Sequence, residues 1–314
     1  MKIKLIFYIC LSLIILGAGW SAFYLYGTPS IKKLKIENIS IKDLPNDQRY
    51  YTDKEPLDTN SQDFTVDTYQ NSYSYIFTSH EDTYNPVTSS RTILELIDSY
   101  NKTQNKLYLE KAELYTQEFL KSSTNHRNAL FATYHFNYTI GGTSNTLKKP
   151  WYSGMAQGRA LSFLSQLYTI TGKKEYKTAA DKYFRGLELT RKTNDKIWVS
   201  MINKDGYFWI EEYPLNKPEL VLNGFLYATF GLYDYYETFK TPESKVYLQS
   251  ALTTAKHEIP KFRRPGKVSR YGLKRGSYNP TYHKTVIKQM RYIYSFTGDE
   301  FFKATADIFE QDYK

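Results

Sequence analysis

Cysteine is nearly absent from this 314-residue chain: its single thiol, Cys10, lies in the apolar amino-terminal run. One cysteine excludes an intrachain disulfide and a thiolate-built metal cluster. Histidine is scarce as well. His80, His126, His135, His257 and His283 stand at no HExxH-like spacing, which argues against a histidine metal centre. No GxSxG elbow and no P-loop occurs, so the serine-hydrolase and P-loop nucleotide classes are set aside. Acidic residues are too few to balance the basic ones, 32 against 42, leaving a net charge of +10. That excess suggests an anionic partner: nucleic acid, anionic lipid or an acidic polysaccharide. It is concentrated, with eleven Lys/Arg against one acid, Glu258, between Lys256 and Arg291, while Asp43 to Asp82 is acidic. No nucleic-acid-binding motif accompanies the charge, so nucleic acid is not expected as a partner.

What the chain has in plenty is tyrosine. There are 31 Tyr and 18 Phe in an otherwise ordinary globular balance of 41% hydrophobic and 24% charged residues. A tyrosine surface suits sugars, because the ring covers an apolar sugar face while the hydroxyl hydrogen-bonds; tyrosine also fills half-buried positions.

Leu5 to Tyr26 is uncharged and apolar, 22 residues preceded by Lys2 and Lys4. As a helix it would span ~30 Å of hydrocarbon. Residues 1–27 are expected as an uncleaved transmembrane anchor holding the body outside the cytoplasm, with cleavage near Gly17-Ala18-Gly19 and secretion as the alternative. Residues 28–90 read as a polar spacer with a short β element, the strand candidates being Phe64–Tyr69 and Tyr73–Phe77.

Residues 91–314 repeat a unit: amphipathic helix, short polar turn, second helix. The turns begin at Thr103, Thr171, Thr241 and Thr297, where threonine beside Gly, Pro or acids suits a helix exit running into the next N-cap. Four hairpins at irregular spacing predict an all-α-dominant, incomplete α/α toroid rather than a tetratricopeptide array. Long loops between hairpins then gather at one mouth. Those stretches hold PWYSGMAQGR (150–159), WIEEYP (209–214), RYGLKR (270–275) and YNPTYH (278–283). Two carboxylates, Glu211 and Glu212, precede Tyr213 and the helix carrying Asn223. Acids ahead of a helix are favoured by its dipole alone. Being adjacent, they point different ways, which disfavours a glycosidase pair flanking one bond.

PWYSGMAQGRALSFL, WIEEYP, VLNGFLYATFGLYD, RYGLKR and TYHKTVI, in this order, resemble the D-glucuronyl C5-epimerase family over residues 95–314, its carboxy-terminal toroid. The resemblance implies inversion at C5 of D-glucuronate to L-iduronate within heparosan or heparan-like chains, with no metal or nicotinamide cofactor. Such a reaction needs acid/base groups on both faces of the ring and positive charge or strong donors for the enediolate. Carried over by motif, the acid/base positions fall on Glu212, Tyr213, Tyr271 and Tyr282, with Glu212 and Tyr282 expected as the opposed pair. Trp151, Tyr152, Gln157, Arg159, Asn223, Lys274 and His283 are expected to bind substrate, Lys274 meeting the uronate carboxylate. Arg159 as a helix cap and Asn223 as a backbone brace are the structural alternatives. The chain departs from the family's YDLRH and WDYH, which become YGLKR (271–275) and PTYH (280–283). Lysine offers a point charge where arginine offers a planar fork. An acidic polysaccharide and, through the anchor, a membrane are the expected partners, and a homodimer is left open. Two other readings compete: an inactive toroid that binds glycan during polysaccharide assembly, and a uronate lyase that starts with the same C5 proton abstraction.

Overall fold

The computed structural model describes residues 31–51, 55–59, 84–140, 145–274 and 278–313. The expected anchor and both strand candidates lie outside these residues. Among the described residues no helix is long and apolar enough to cross a membrane.

Eight described α-helices make four hairpins: α1 (Pro86–Thr103) with α2 (Lys106–Lys121), α3 (Gly154–Thr171) with α4 (Lys174–Glu188), α5 (Leu222–Phe239) with α6 (Pro242–Glu258), and α7 (Pro280–Thr297) with α8 (Glu300–Asp312). Every turn is two residues long, for a local reason. The first helix exits through a left-handed residue, Gln104, Gly172, Lys240 or Gly298, whose amide returns to the carbonyl four residues back. The second helix then starts at once. Asn105, Thr241 and Asp299 each accept a hydrogen bond from a first-turn amide, of Leu107, Ser244 and Phe301.

Antiparallel hairpins leave α1, α3, α5 and α7 parallel. These four pack against one another in order as an inner layer, with α2, α4, α6 and α8 outside. The α3–α5 contact is the tightest. A Cβ on Gly158 would lie 2.3 Å from Ala228 Cα, and one on Gly231 would lie 2.0 Å from Gly158 O, so only glycine lets these backbones touch. The loops between hairpins carry four antiparallel ribbons: β1 (Thr124–His126) with β2 (Ala129–Phe131), β3 (Thr133–Tyr134) with β6 (Trp151–Tyr152), β4 (Tyr138–Thr139) with β5 (Thr146–Leu147), and β7 (Ser200–Ile202) with β8 (Phe208–Ile210).

Residues 31–51 form a strap docked on the helices, although their polarity suggests a spacer. Lys35 N donates to Gly206 O (2.8 Å), Glu37 N to Thr253 Oγ1 (2.8 Å), Lys42 N to Phe296 O (2.7 Å) and Leu44 N to the Tyr233 hydroxyl (2.9 Å). Arg49 pairs with buried Asp234 at 2.9 Å. The Tyr50 ring then packs on Tyr227 and Phe230 of α5 and on Tyr292 of α7. Further on, Leu57 N donates to Ser99 Oγ of α1 (3.0 Å), and Tyr108 of α2 donates to Leu57 O. Residues 31–51 thus reach α7, and Leu57 reaches α1 and α2, both on the side away from the N-termini of the inner helices.

Candidate active site

At the N-terminal ends of the four inner helices opens a pocket of about 230 Å³. Strand β8 delivers the two glutamates to it, and they diverge as their adjacency requires. Glu211 is fully buried. Its carboxylate accepts from Tyr213 N (3.3 Å) and Leu220 N (3.0 Å), which folds the 211–220 loop back on itself. Burial pushes its pKa up to about 8 against the pull of those two bonds. Glu212 lines the pocket at 6% exposure, close under the first turn of α5. Gly224 makes room for it: a Cβ there would sit 2.3 Å from Glu212 Oε2.

Three phenols surround this carboxylate. The Tyr271 hydroxyl donates to Glu212 Oε1 at 3.4 Å and lies 3.4 Å from the Tyr213 hydroxyl. The loop bearing Tyr271 is tied to the start of α5: Leu222 N donates to Tyr271 O (3.2 Å), Leu273 N to Leu220 O and Lys274 N to Glu219 O (both 3.3 Å). Tyr282, in the first turn of α7 and 39% exposed at the rim, packs its ring 4.6 Å from that of Tyr271. Burial first, then the Glu212 charge, pushes Tyr213 and Tyr271 well above the usual phenol range and Tyr282 in the same direction. All three therefore hold their protons at neutral pH and act as donors.

The facing wall is aromatic. Trp151 stacks on Tyr134 with centroids 3.7 Å apart, and Tyr138 stacks on both Trp151 and Tyr213 at 5.8 Å. The indole is fixed by its Nε1–H donating to Phe136 O (2.9 Å). Such faces suit the C–H side of a pyranose. Arg159 and Asn223 also line the pocket. Arg159 is only 4% exposed, donates to Val87 O (2.9 Å) and lies 4.4 Å over the Tyr227 ring. Among the described residues no group of three His, Cys, Asp or Glu is arranged to hold a metal ion.

Of the expected site residues, Glu212, Tyr213, Tyr282, Trp151, Arg159 and Asn223 line this pocket, and Tyr271 backs it. Four stand elsewhere. Tyr152 alternates with Trp151 along β6 and so faces the core, against Phe131. Gln157 is fully buried, donating to Leu130 O (2.7 Å) and Tyr183 O (2.8 Å) and accepting from Ala132 N (3.3 Å), which pins β2 to α3 and α4. His283 is a strut: its Nδ1 accepts from Ser269 N (3.1 Å), which leaves Nε2–H to donate to Phe309 O (3.0 Å). Lys274 is exposed and absent from the pocket wall. Several expected loop residues are helical: α3 begins at Gly154 and α7 at Pro280. The sequence reading passed over Tyr138, Arg91 and Tyr227, which also line the pocket. For Tyr227 a signal existed, since it sits four residues after Asn223 and so on the same helix face. For Tyr138 and Arg91 none did.

Among solved structures, an unsaturated glucuronyl hydrolase specific for heparin is similar (TM-score 0.52, 13% identity, 91% of this chain and 81% of that one). So is cellobiose 2-epimerase of Spirochaeta thermophila (TM-score 0.51, 15% identity, 73% of this chain and 59% of that one). At these identities the likeness is one of fold, the α/α toroid. In sequence, an uncharacterized protein of Methanocaldococcus jannaschii is 23% identical over 209 residues, 64% of this chain and 67% of that protein. The D-glucuronyl C5-epimerase of Caenorhabditis elegans is 33% identical over 84 residues, 27% of this chain and only 13% of the nematode protein. Residues 127–311, more than half of the chain, match the family described as D-glucuronyl C5-epimerase C-terminus, and the chain belongs to that family.

Proposed function

We propose that this chain is a carbohydrate epimerase that inverts C5 of uronate residues, D-glucuronate to L-iduronate, in an acidic polysaccharide of the heparosan type. The observation that carries the reading is the placement of one carboxylate, Glu212, beneath three protonated phenols in a pocket walled by stacked aromatics. Glu212 removes the C5 proton, and the C–H electron pair passes into the adjacent carboxylate as an enediolate. Tyr282 then gives its phenolic proton to the other face of C5. At the rim its phenolate is reprotonated from water, while Glu212 releases its proton through Tyr271. Two bonds break and two form, and no redox partner is needed. The volume, below the ~300–1,000 Å³ of ordinary ligand pockets, suits a single sugar ring at the reacting position.

The test is incubation of the full chain with unsulfated heparosan in D₂O, followed by NMR. Deuterium entering C5 together with iduronate signals is the expected result. An unsaturated uronate would point to a lyase. Bound polymer with neither change would point to a glycan-binding toroid.

A further inference from the structure

Arg159 poses a problem of charge. It is a buried guanidinium, and among the described residues it makes no ion pair with a carboxylate. Its polar surroundings are the Val87 carbonyl, the Tyr227 ring and the phenol of Tyr51, delivered by the amino-terminal strap. Two buried atoms of this pocket, Arg159 Nε and Asn223 Oδ1, have no hydrogen-bond partner. A buried charge without a counter-charge is destabilising unless something else compensates. Arg91, the other cation on the wall, has its side chain half exposed and is already paired with Glu95 at 3.2 Å.

We infer that Arg159, supported by Tyr51 and Asn223, is the seat of the substrate's carboxylate at the inner end of the pocket. This rests on the uronate-epimerase reading above and replaces Lys274 as the expected carboxylate partner. The depth is right. Arg159 and Tyr227 lie about one helical turn, ~5–6 Å, further along their helices than the residues that open the pocket, Met155 and Asn223. Glu212, Arg159, Tyr134 and Tyr282 all line the one pocket, so a ring seated in it lies among them. A carboxylate held on Arg159 leaves its neighbouring carbon one bond away, toward Glu212 and Tyr282. The same guanidinium then faces the charge that grows on the enediolate oxygens. Tyr51 is a positioning residue: its ring stacks nearly parallel to Tyr227, with centroids 6.2 Å apart.

The experiment compares thermal unfolding of the full chain and its variants with two probes, an unsulfated heparosan hexasaccharide and its carboxyl-reduced, neutral counterpart. For the unaltered chain, only the acidic probe should raise the midpoint. Arg159→Met should leave the ligand-free protein at least as stable, because it removes a buried unpaired charge, and should weaken binding of the acidic probe at least ~30-fold. Tyr51→Phe should weaken it several-fold without changing the neutral probe, and it tests the seat even if Arg159→Met does not fold. An equal response of the unaltered chain and both variants, or no response of the unaltered chain to the acidic probe, overturns the inference. The readout involves no C5 chemistry. Binding through Arg159 without deuterium exchange would sink the epimerase reading and keep the seat; exchange that survives Arg159→Met with unchanged KM would do the reverse.

Discussion

At the scale of single residues, the two adjacent glutamates part, Glu211 held by backbone amides and Glu212 lining the pocket, and each makes its own prediction. Because burial raises the folded-state pKa of Glu211 from 4.5 to about 8, the folded chain keeps a proton there that the unfolded chain releases above pH ~4.5. Stability carried by that proton is therefore present below pH ~4.5 and lost as pH rises to about 8. Glu188, raised by burial to about 7, adds to the same slope. Melting midpoints measured from pH 5 to 8 should fall, and Glu211→Gln should flatten the fall; a profile unchanged by the substitution would contradict this. Gly224 is the second test. Alanine there puts a methyl group 2.3 Å from Glu212 Oε2, so the carboxylate must move. Gly224→Ala should cost ~100-fold or more in kcat, since misplacement by about 1 Å has effects of that order. Folding, read by circular dichroism, should persist.

Among the elements, the strap has the most to add. Arg49 is 13% and Asp234 5% exposed, and they meet at 2.9 Å. Arg49→Met leaves Asp234 buried and unpaired, at a cost of ~3–5 kcal/mol, which urea denaturation would detect; a loss under ~1 kcal/mol would show that the strap is only loosely attached. The hairpins were legible in the sequence because each turn carries its own chemistry, a left-handed exit and a side-chain cap. The strap was not. Lys35, Glu37 and Lys42 dock through their backbone amides, and a main-chain contact leaves no mark in residue type. Nor did the motifs reveal that Gln157 and His283 serve packing. A polar residue that satisfies buried carbonyls looks, in a one-dimensional string, like one that waits for substrate. Tyr152 and Trp151 illustrate the same limit, since strand alternation sends only one of two adjacent aromatics to the pocket.

For the molecule as a whole, the basic excess is less available than its sequence clustering suggests. Between Lys256 and Arg291, Lys256 pairs with Glu37 and Asp299, Lys261 with Glu258, Arg263 with Asp312, and Arg291 with Asp307 and Glu310. Arg264 lies 3.7 Å over the Tyr278 ring. Much of this charge thus stitches α8 and the strap to the rest of the toroid. What the whole fold accomplishes is to bring the start of α5, the 269–274 loop and the first turn of α7 around one carboxylate.

The most direct test of that arrangement separates proton exchange from inversion. Heparosan carrying deuterium at C5 of glucuronate would be incubated in H₂O with the unaltered chain, Glu212→Gln and Tyr282→Phe, with label loss and iduronate followed by NMR. With Glu212 as the base on the glucuronate face and Tyr282 as the donor on the other, Glu212→Gln should suppress both signals by ~10²–10⁴-fold. Tyr282→Phe should suppress iduronate formation by a similar factor while label still leaves C5. Label loss at an unaltered rate in Glu212→Gln would contradict the account.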